Sequence, residues 1–428
     1  MLAPFIGTAT SFLLVVIAGL VLAIPSNTRP FAHLATAADI EHGRLRTMTG
    51  CILAIAILSV LGTVEAFSLS AVVFALSVLV VTVGQLGGVL SSSITERPLG
   101  RTAATGFAGG MAGYGGFLVF LIIPGVDPIE SPALVLFLVT VGALGSALYR
   151  RELTREDPLE ILAIGILLWF FAEIGAGIEL QHTAVGILVT VALGVLAYVT
   201  DTASIPGMLS GIILALITYV LGGFAWFAVL AAFFVIGGLG TKYRYEEKAA
   251  RGVAEGAQGT RGTANVMSNG IVPLLIVVSW KSAATLDPLR ALAIPDEIFI
   301  LAFSGAVSTA LADTLASEIG ALYDAPRLIT SFETVAPGTD GAITLEGQVA
   351  GLVGAGVIAA LVVVVFPFTH PLIAIIVVGA GFFGMSADSL FGATLEGNMV
   401  GNEGVNLLAT CVGALTALGG TVLALTFL

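Results

Sequence analysis

The chain has 428 residues, of which 57% are hydrophobic and 10% charged, with 53 glycines and a mean hydropathy of +1.06. Soluble domains carry about 25% charged residues and nucleic-acid binders carry a basic face; that excludes both, and no nucleic-acid partner is expected of a chain with formal net charge −12. The solvent this composition suits is the bilayer.

A bilayer core of roughly 30 Å needs about 20 apolar residues per helix, and the backbone there must satisfy its own hydrogen bonds. Fourteen apolar runs meet that need: 5–24, 49–64, 69–90, 103–123, 133–148, 159–178 and 184–199, then 206–221, 224–239, 266–280, 298–315, 343–366, 372–385 and 407–427. Because several runs are short, about 12–15 spans are expected. The fold class predicted is all-α, a polytopic transmembrane helical bundle. The first run lacks the positively charged leader of a secretory signal and is read as a span. Cys51 and Cys411 are too far apart to frame disulfides and match no metal spacing, so they read as small packed residues.

Lys and Arg concentrate in cytoplasmic loops. Here they fall in alternate connections: Arg29, Arg44 and Arg46; Arg97 and Arg101; Arg150, Arg151 and Arg155; Lys242, Arg244, Lys248, Arg251 and Arg261; and Arg327. Of the 16 basic residues only Lys281 and Arg290 lie opposite. Both termini are therefore expected outside. The small-residue pairs Gly106 with Gly110 and Gly109 with Gly113 predict close helix packing, and no internal repeat relates the two halves.

Polar residues that hydropathy leaves unexplained form three clusters, all on the side assigned to the cytoplasm. The first is Thr241 to Asn269, where Arg261 is followed at helical spacing by Asn265 and Asn269. Cations beside a leaflet are usually topology determinants, yet a guanidinium at that depth can also grip phosphate through two hydrogen bonds. The second runs from Ser304 to Gly347. Thr309, Asp313 and Ser317 share a helix face there, whereas Asp313 and Glu318 lie about 140° apart around an ideal helix. Acids at the end of an apolar span usually face a wet cavity, an ion or a substrate. Pro337, Gly338, Thr339, Asp340 and Gly341 then form a flexible loop able to present N–H groups to an anion, although alone they read as a turn. In the third cluster, Ser386 to Asn406, Asp388, Gly392 and Glu396 fall on one face and Asn398, Asn402 and Asn406 follow.

At these clusters the sequence resembles the integral-membrane phytyl-phosphate kinases of plants and their animal and archaeal relatives, the domain-of-unknown-function family ninety-two. The matching positions are Thr241, Lys242, Lys248, Arg261, Asn269 and Gly270; Asp313, Thr314, Ser317, Glu318 and Gly320; Pro326, Ile329 and Thr330; Pro337, Gly338, Thr339, Gly341, Thr344 and Gly347; and Asp388, Ser389, Gly392, Ala393 and Asn406. Glu396 stands where many relatives are expected to carry glutamine, so no catalytic role is expected of it. The resemblance covers residues 184–428, read as a catalytic membrane domain; residues 1–180 form a six-span module whose role the resemblance does not address.

What the resemblance implies is a kinase that transfers a phosphoryl group from a nucleoside triphosphate, CTP by expectation, to an isoprenoid monophosphate such as phytyl or geranylgeranyl phosphate. Asp313, with Glu318 or Asp388, would hold Mg²⁺. Lys242 and Arg261 would neutralise phosphate charge, and Pro337, Gly338, Thr339, Gly341, Thr334, Asn269 and Ser317 would bind the nucleotide. The expected place is the cell membrane, with the site on its cytoplasmic side. Two rival classes remain open at this point: a transporter or flippase of a lipid or ion, and a CTP-dependent lipid cytidylyltransferase.

Overall fold

The computed structural model describes residues 8–24, 40–41, 44–64, 69–122, 129, 131–153, 157–254, 259–368, 370–397 and 399–427. The start of the first predicted span, its end-of-run neighbour Arg29, Ile123, Arg155, Asn398 and residues 255–258 of the first polar cluster lie outside them.

Each of the fourteen apolar runs carries a helix. In the first unit these are α1 (Thr8–Ala23), α2 (Arg46–Leu61), α3 (Ala71–Ser91), α4 (Pro98–Phe120), α5 (Pro132–Glu152) and α6 (Asp157–Ile174), with a short ribbon of β1 (Ile40–Glu41) and β2 (Arg44–Leu45). Then come α7 (Leu180–Val199), α8 (Ile205–Gly222), α9 (Phe224–Lys242), the short α10 (Tyr245–Ala250), α11 (Thr263–Thr285), the short α12 (Asp287–Arg290) and α13 (Asp296–Gly320). A second ribbon, β3 (Arg327–Leu328) with β4 (Ala342–Ile343), precedes α14 (Leu345–Val365), α15 (Leu372–Leu395) and α16 (Asn402–Phe427). Among the described residues ten helices are long and apolar enough to cross a membrane, and α1 and α2 are shorter apolar helices. The protein is a polytopic helical membrane protein.

The chain divides into two compact units, Met1–Ile187 and Leu188–Leu428. In the first, glycines set the packing distance: a Cβ on Gly109 would come within 2.6 Å of the Val80 carbonyl on α3, and one on Gly113 within 2.8 Å of Val139 on α5. The fully buried carboxylate of Glu160 on α6 accepts from Ser146 and Gln85 and lies 3.3 Å from Arg150 Nε. Three helices thereby share one neutralised acid.

The second unit is built around α13, which packs against α9, α11, α14, α15 and α16. From Leu301 to Ala312 every residue of α13 is buried. Such closeness needs missing side chains on the neighbours. A Cβ on Gly351 of α14 would meet the Ala312 carbonyl at 2.8 Å, one on Gly384 of α15 would meet Thr309 Cβ at 2.7 Å, and one on Gly413 of α16 would meet it at 2.9 Å. Buried hydroxyls in this stretch are satisfied by carbonyls: Thr309 Oγ1 donates to Gly305 and Ala380, and Ser308 Oγ to Val377. With no aqueous driving force between apolar helices, close packing of small residues supplies the cohesion.

One end of this unit is closed by aromatic rings. Trp226 at the start of α9 stacks 5.4 Å from Trp280, 4.9 Å from Phe303 and 5.8 Å from Phe366. The opposite end, where α9, α13 and α15 finish and α11, α14 and α16 begin, is where the polar segments collect.

Overpacking a filled helix contact costs about 1–3 kcal/mol, whereas alanine in place of an exposed helical glycine gains up to about 1 kcal/mol. Gly413→Ala is therefore expected to lower the thermal midpoint in detergent, while Gly379→Ala, whose Cβ would meet nothing within 4 Å, leaves it equal or higher. Equal responses of the two variants would contradict the packing described.

Candidate functional site

The last two turns of α13 leave the buried core. Asp313, Thr314, Ala316, Ser317 and Gly320 line a cavity of about 460 Å³, of a size that holds a small molecule. Its other walls come from the approach to α11 (Arg261, Asn265, Asn269), from the 337–341 loop and the start of α14 (Thr344, Gly347, Gln348), and from the ends of α15 and α16 (Asp388, Ser389, Gly392, Glu396, Asn402, Asn406). The three clusters, whose lining residues run from Gly252 to Asn406 along the chain, share one space.

The ribbon explains how a loop of turn composition is held there. β3 pairs with β4 antiparallel, Arg327 opposite Ile343 and Leu328 opposite Ala342. Ile329 N–H then donates to the Gly341 carbonyl at 3.1 Å, and Val335 N–H to Pro326 at 2.9 Å. Gly341 has φ +75, and a Cβ there would strike the Ser389 carbonyl and come within 2.6 Å of Ala393 N. Only glycine fits that approach to α15. Within the loop the N–H of Thr339 donates to Ala336, but among the described residues those of Gly338, Asp340 and Gly341 make no backbone hydrogen bond. They are the N–H groups available to an anion.

Arg261 is held in a slot. Its backbone N–H donates to Thr202 and its carbonyl accepts from Ser204, both at 3.0 Å. The residue is 9% exposed; its guanidinium lies 5.4 Å from the Phe233 ring centroid and donates from Nη2 to Thr241 Oγ1 at 3.3 Å. Gly237 makes the room, since a Cβ there would sit 3.1 Å from Nη2. Immediately after it α11 begins at Gly262, which provides no side-chain cap for the first turn, so a cation and a helix N-terminus stand side by side at the cavity wall.

Three predicted site residues stand elsewhere. Lys242, in the last turn of α9, is half-buried and is not on the cavity wall. Thr334 is exposed in the ribbon turn, bridged to Arg327. Glu318 is 3% exposed and pairs with Lys248, whose ammonium is fully buried and also donates to the carbonyls of Thr241 (2.9 Å) and Gly240 (3.3 Å) at the end of α9. The helical period turns Glu318 away from Asp313, and Lys248 neutralises it. Among the described residues no group of three His, Cys, Asp or Glu side chains could hold a metal ion, so Asp313, Glu318 and Asp388 are not one ligand set. The remaining predicted residues, Asp313, Asp388, Arg261, Asn269, Ser317, Pro337, Gly338, Thr339 and Gly341, all line the cavity.

The residues given no chemical role by sequence reasoning are Lys248, Tyr323, Gln348 and Asn406. Asn406 is 7% exposed, lines the cavity, and its carboxamide makes no hydrogen bond among the described residues. The signal was its place one turn into α16 after Asn402, but loop polarity explained it as well.

Glu396, just past the end of α15, has its carboxyl raised above the usual carboxylate range by burial, then by the charges of Asp340 and Glu403. A raised folded-state value means that ionised Glu396 costs stability at neutral pH and that the cost disappears as pH falls through the raised value. Glu396→Gln should accordingly raise the neutral-pH thermal midpoint and weaken its rise on mild acidification; an unchanged midpoint at pH 7 would contradict the repulsion. For the Lys248–Glu318 pair, removing one partner strands a buried charge at a cost of about 3–5 kcal/mol, whereas an apolar pair is close to neutral. Lys248→Met should destabilise strongly in denaturant titration and Lys248→Met with Glu318→Leu should recover most of the loss. Additive losses would contradict the pairing.

Residues 188–414 match the family described as "Integral membrane protein DUF92". The chain is 33% identical over 241 residues to the membrane protein MJ0933 of Methanocaldococcus jannaschii, covering 54% of this chain and 91% of that one. It is 30% identical over 223 residues to the chloroplastic protein VTE6 of Arabidopsis thaliana, covering 50% and 64%. It is 34% identical over 220 residues to the membrane protein sll0875 of Synechocystis, covering 48% and 78%. No solved structure matches. Every residue of the cavity wall falls inside the matched segment, and the chain belongs to the DUF92 family of integral membrane proteins.

Proposed function

We propose that the protein is a membrane-bound prenyl-phosphate kinase, passing the terminal phosphoryl group of a nucleoside triphosphate, CTP in our reading, to an isoprenoid monophosphate. The observation that carries this is the convergence of a buried guanidinium, two carboxylates and an N–H-bearing glycine loop on one cavity at the end of a lipid-embedded bundle. The resemblance to phytyl-phosphate kinases and the chloroplastic relative support it. The distribution of Lys and Arg supports a cavity facing the cytoplasm, and in our reading the membrane is the cell membrane.

In this reading an oxygen of the lipid monophosphate attacks the γ-phosphorus. A new P–O bond forms, the bond from the γ-phosphorus to the β,γ-bridging oxygen breaks, and the nucleoside diphosphate leaves with that electron pair. The acceptor is already an anion, so no residue needs to act as general base. Arg261 neutralises phosphate charge, and its slot holds it in place before substrate arrives. The open N–H groups of Gly338, Asp340 and Gly341 cradle the donor's phosphates. Asp313 and Asp388 are hard oxygen donors suited to Mg²⁺, which takes one or two carboxylates and fills its sphere with water and phosphate oxygens. When bound, Mg²⁺ would supply positive charge on those oxygens. The outer face of α14, with Leu345, Val349 and Val353 exposed at helical spacing, starts beside the cavity wall and offers the prenyl chain an apolar path.

Purified protein supplied with CTP, ATP, GTP or UTP and a set of prenyl monophosphates should carry label from the γ-phosphate into a lipid diphosphate. Asp313→Asn should lower that transfer about a hundredfold or more while the protein stays folded. Wild-type transfer in Asp313→Asn would remove the carboxylate's role. Label entering from the α-phosphate would make the protein a cytidylyltransferase, and transfer with no pair, alongside intact lipid movement in vesicles, would make it a transporter.

A further inference from the structure

The register of three helices places Asn406 beside the two cavity carboxylates. Thr309 on α13, Gly384 on α15 and Gly413 on α16 touch at one level of the bundle, because a Cβ on either glycine would fall against the Thr309 side chain. α13 and α15 both run toward the cavity. Four residues onward on each is an advance of about 6 Å and a return to nearly the same face, which brings Asp313 and Asp388 to adjoining positions. α16 runs the other way, so seven residues back from Gly413, about 10.5 Å and within about 20° of the same face, stands Asn406. All three residues line the cavity.

A carboxamide so placed would ordinarily donate an N–H to a neighbouring carboxylate. Asn406 is more than nine-tenths buried and, among the described residues, makes no side-chain hydrogen bond at all. A carboxamide that opens onto the cavity with no protein partner is placed to meet a ligand, and one that meets it together with two carboxylates is a cation that takes hard oxygens. We infer that Asn406 is the third protein ligand of a divalent cation site completed by Asp313 and Asp388, with its amide oxygen in the role that the family resemblance had offered to Glu318. The inference deepens the kinase reading, and rests on it for what the cation is used for but not for its binding.

The test uses the full chain, purified in detergent, with Mn²⁺ alone and no nucleotide or lipid, following loss of the free Mn²⁺ resonance. Wild type should bind Mn²⁺ saturably, and Asp313→Asn and Asp388→Asn should each abolish that binding. Asn406→Leu should weaken it about tenfold or more, and Asn406→Asp, which keeps an oxygen at the same place, should hold it within about threefold of wild type or tighten it. Wild-type affinity in Asn406→Leu, equal loss in the Asp variant, or no saturable binding by wild type would each overturn the assignment. Phosphoryl transfer combined with Asn406-independent Mn²⁺ binding would sink the ligand and leave the kinase. Asn406-dependent binding without transfer by any substrate pair would do the reverse.

Discussion

The second unit depends on how closely its neighbours approach α13. A helix buried over twelve successive residues has no face left for lipid, and its partners reach it where glycines, Gly351, Gly384 and Gly413 among them, omit a side chain. Contacts of that kind have little slack, because interiors are close-packed and a methyl group already forces a shift. Rigidity in the middle is what lets the end of the helix carry costly groups. Asp313 follows the buried stretch on a helix whose direction three neighbours have set, and the close approach continues past it, since a Cβ on Gly347 would come within 2.6 Å of the Ala316 carbonyl.

Charge is managed differently at the two ends of the polar region. Lys248 and Glu318 neutralise each other in a dry position and bind the end of α9 to the end of α13. Arg261, by contrast, is restrained by an aromatic ring, a hydroxyl and a glycine-made slot at the cavity wall. On another wall Glu396 feels the charges of Asp340 and Glu403 in addition to its own burial. A cavity with a fixed cation on one wall and excess acid on another suits a ligand that brings both signs, as a metal-bound polyphosphate does.

Each of the fourteen runs that hydropathy picked out carries a helix among the described residues, because a lipid-facing backbone has no other regular option. It misjudged their ends at the site. The run of α15 ends at Met385, yet the helix continues to Leu395, and α13 runs on from Leu315 to Gly320. Beyond the lipid a helix no longer has to be apolar, and Asp388 or Ser317 can face the cavity while the backbone continues its ladder. Glu318 was misplaced because its partner is 70 residues away and no local pattern announces Lys248. The ribbon that docks the Gly338–Gly341 loop escaped notice since two-residue strands are too short to show alternation. Arg261, Asp313, Thr339 and Asp388 were legible because each is a polar residue that lipid solvation could not explain.

The meeting of separate segments at the end of α13 is most directly tested by pairwise cysteine cross-linking in native membranes, with Cys51 and Cys411 replaced by alanine. Thr339→Cys combined with Asn265→Cys, two residues that line the cavity from different connections, should be joined by a short bifunctional maleimide, and nucleoside triphosphate with Mg²⁺ should slow the reaction. Failure of the pair to cross-link while each cysteine still reacts singly would contradict the shared cavity on which the account rests.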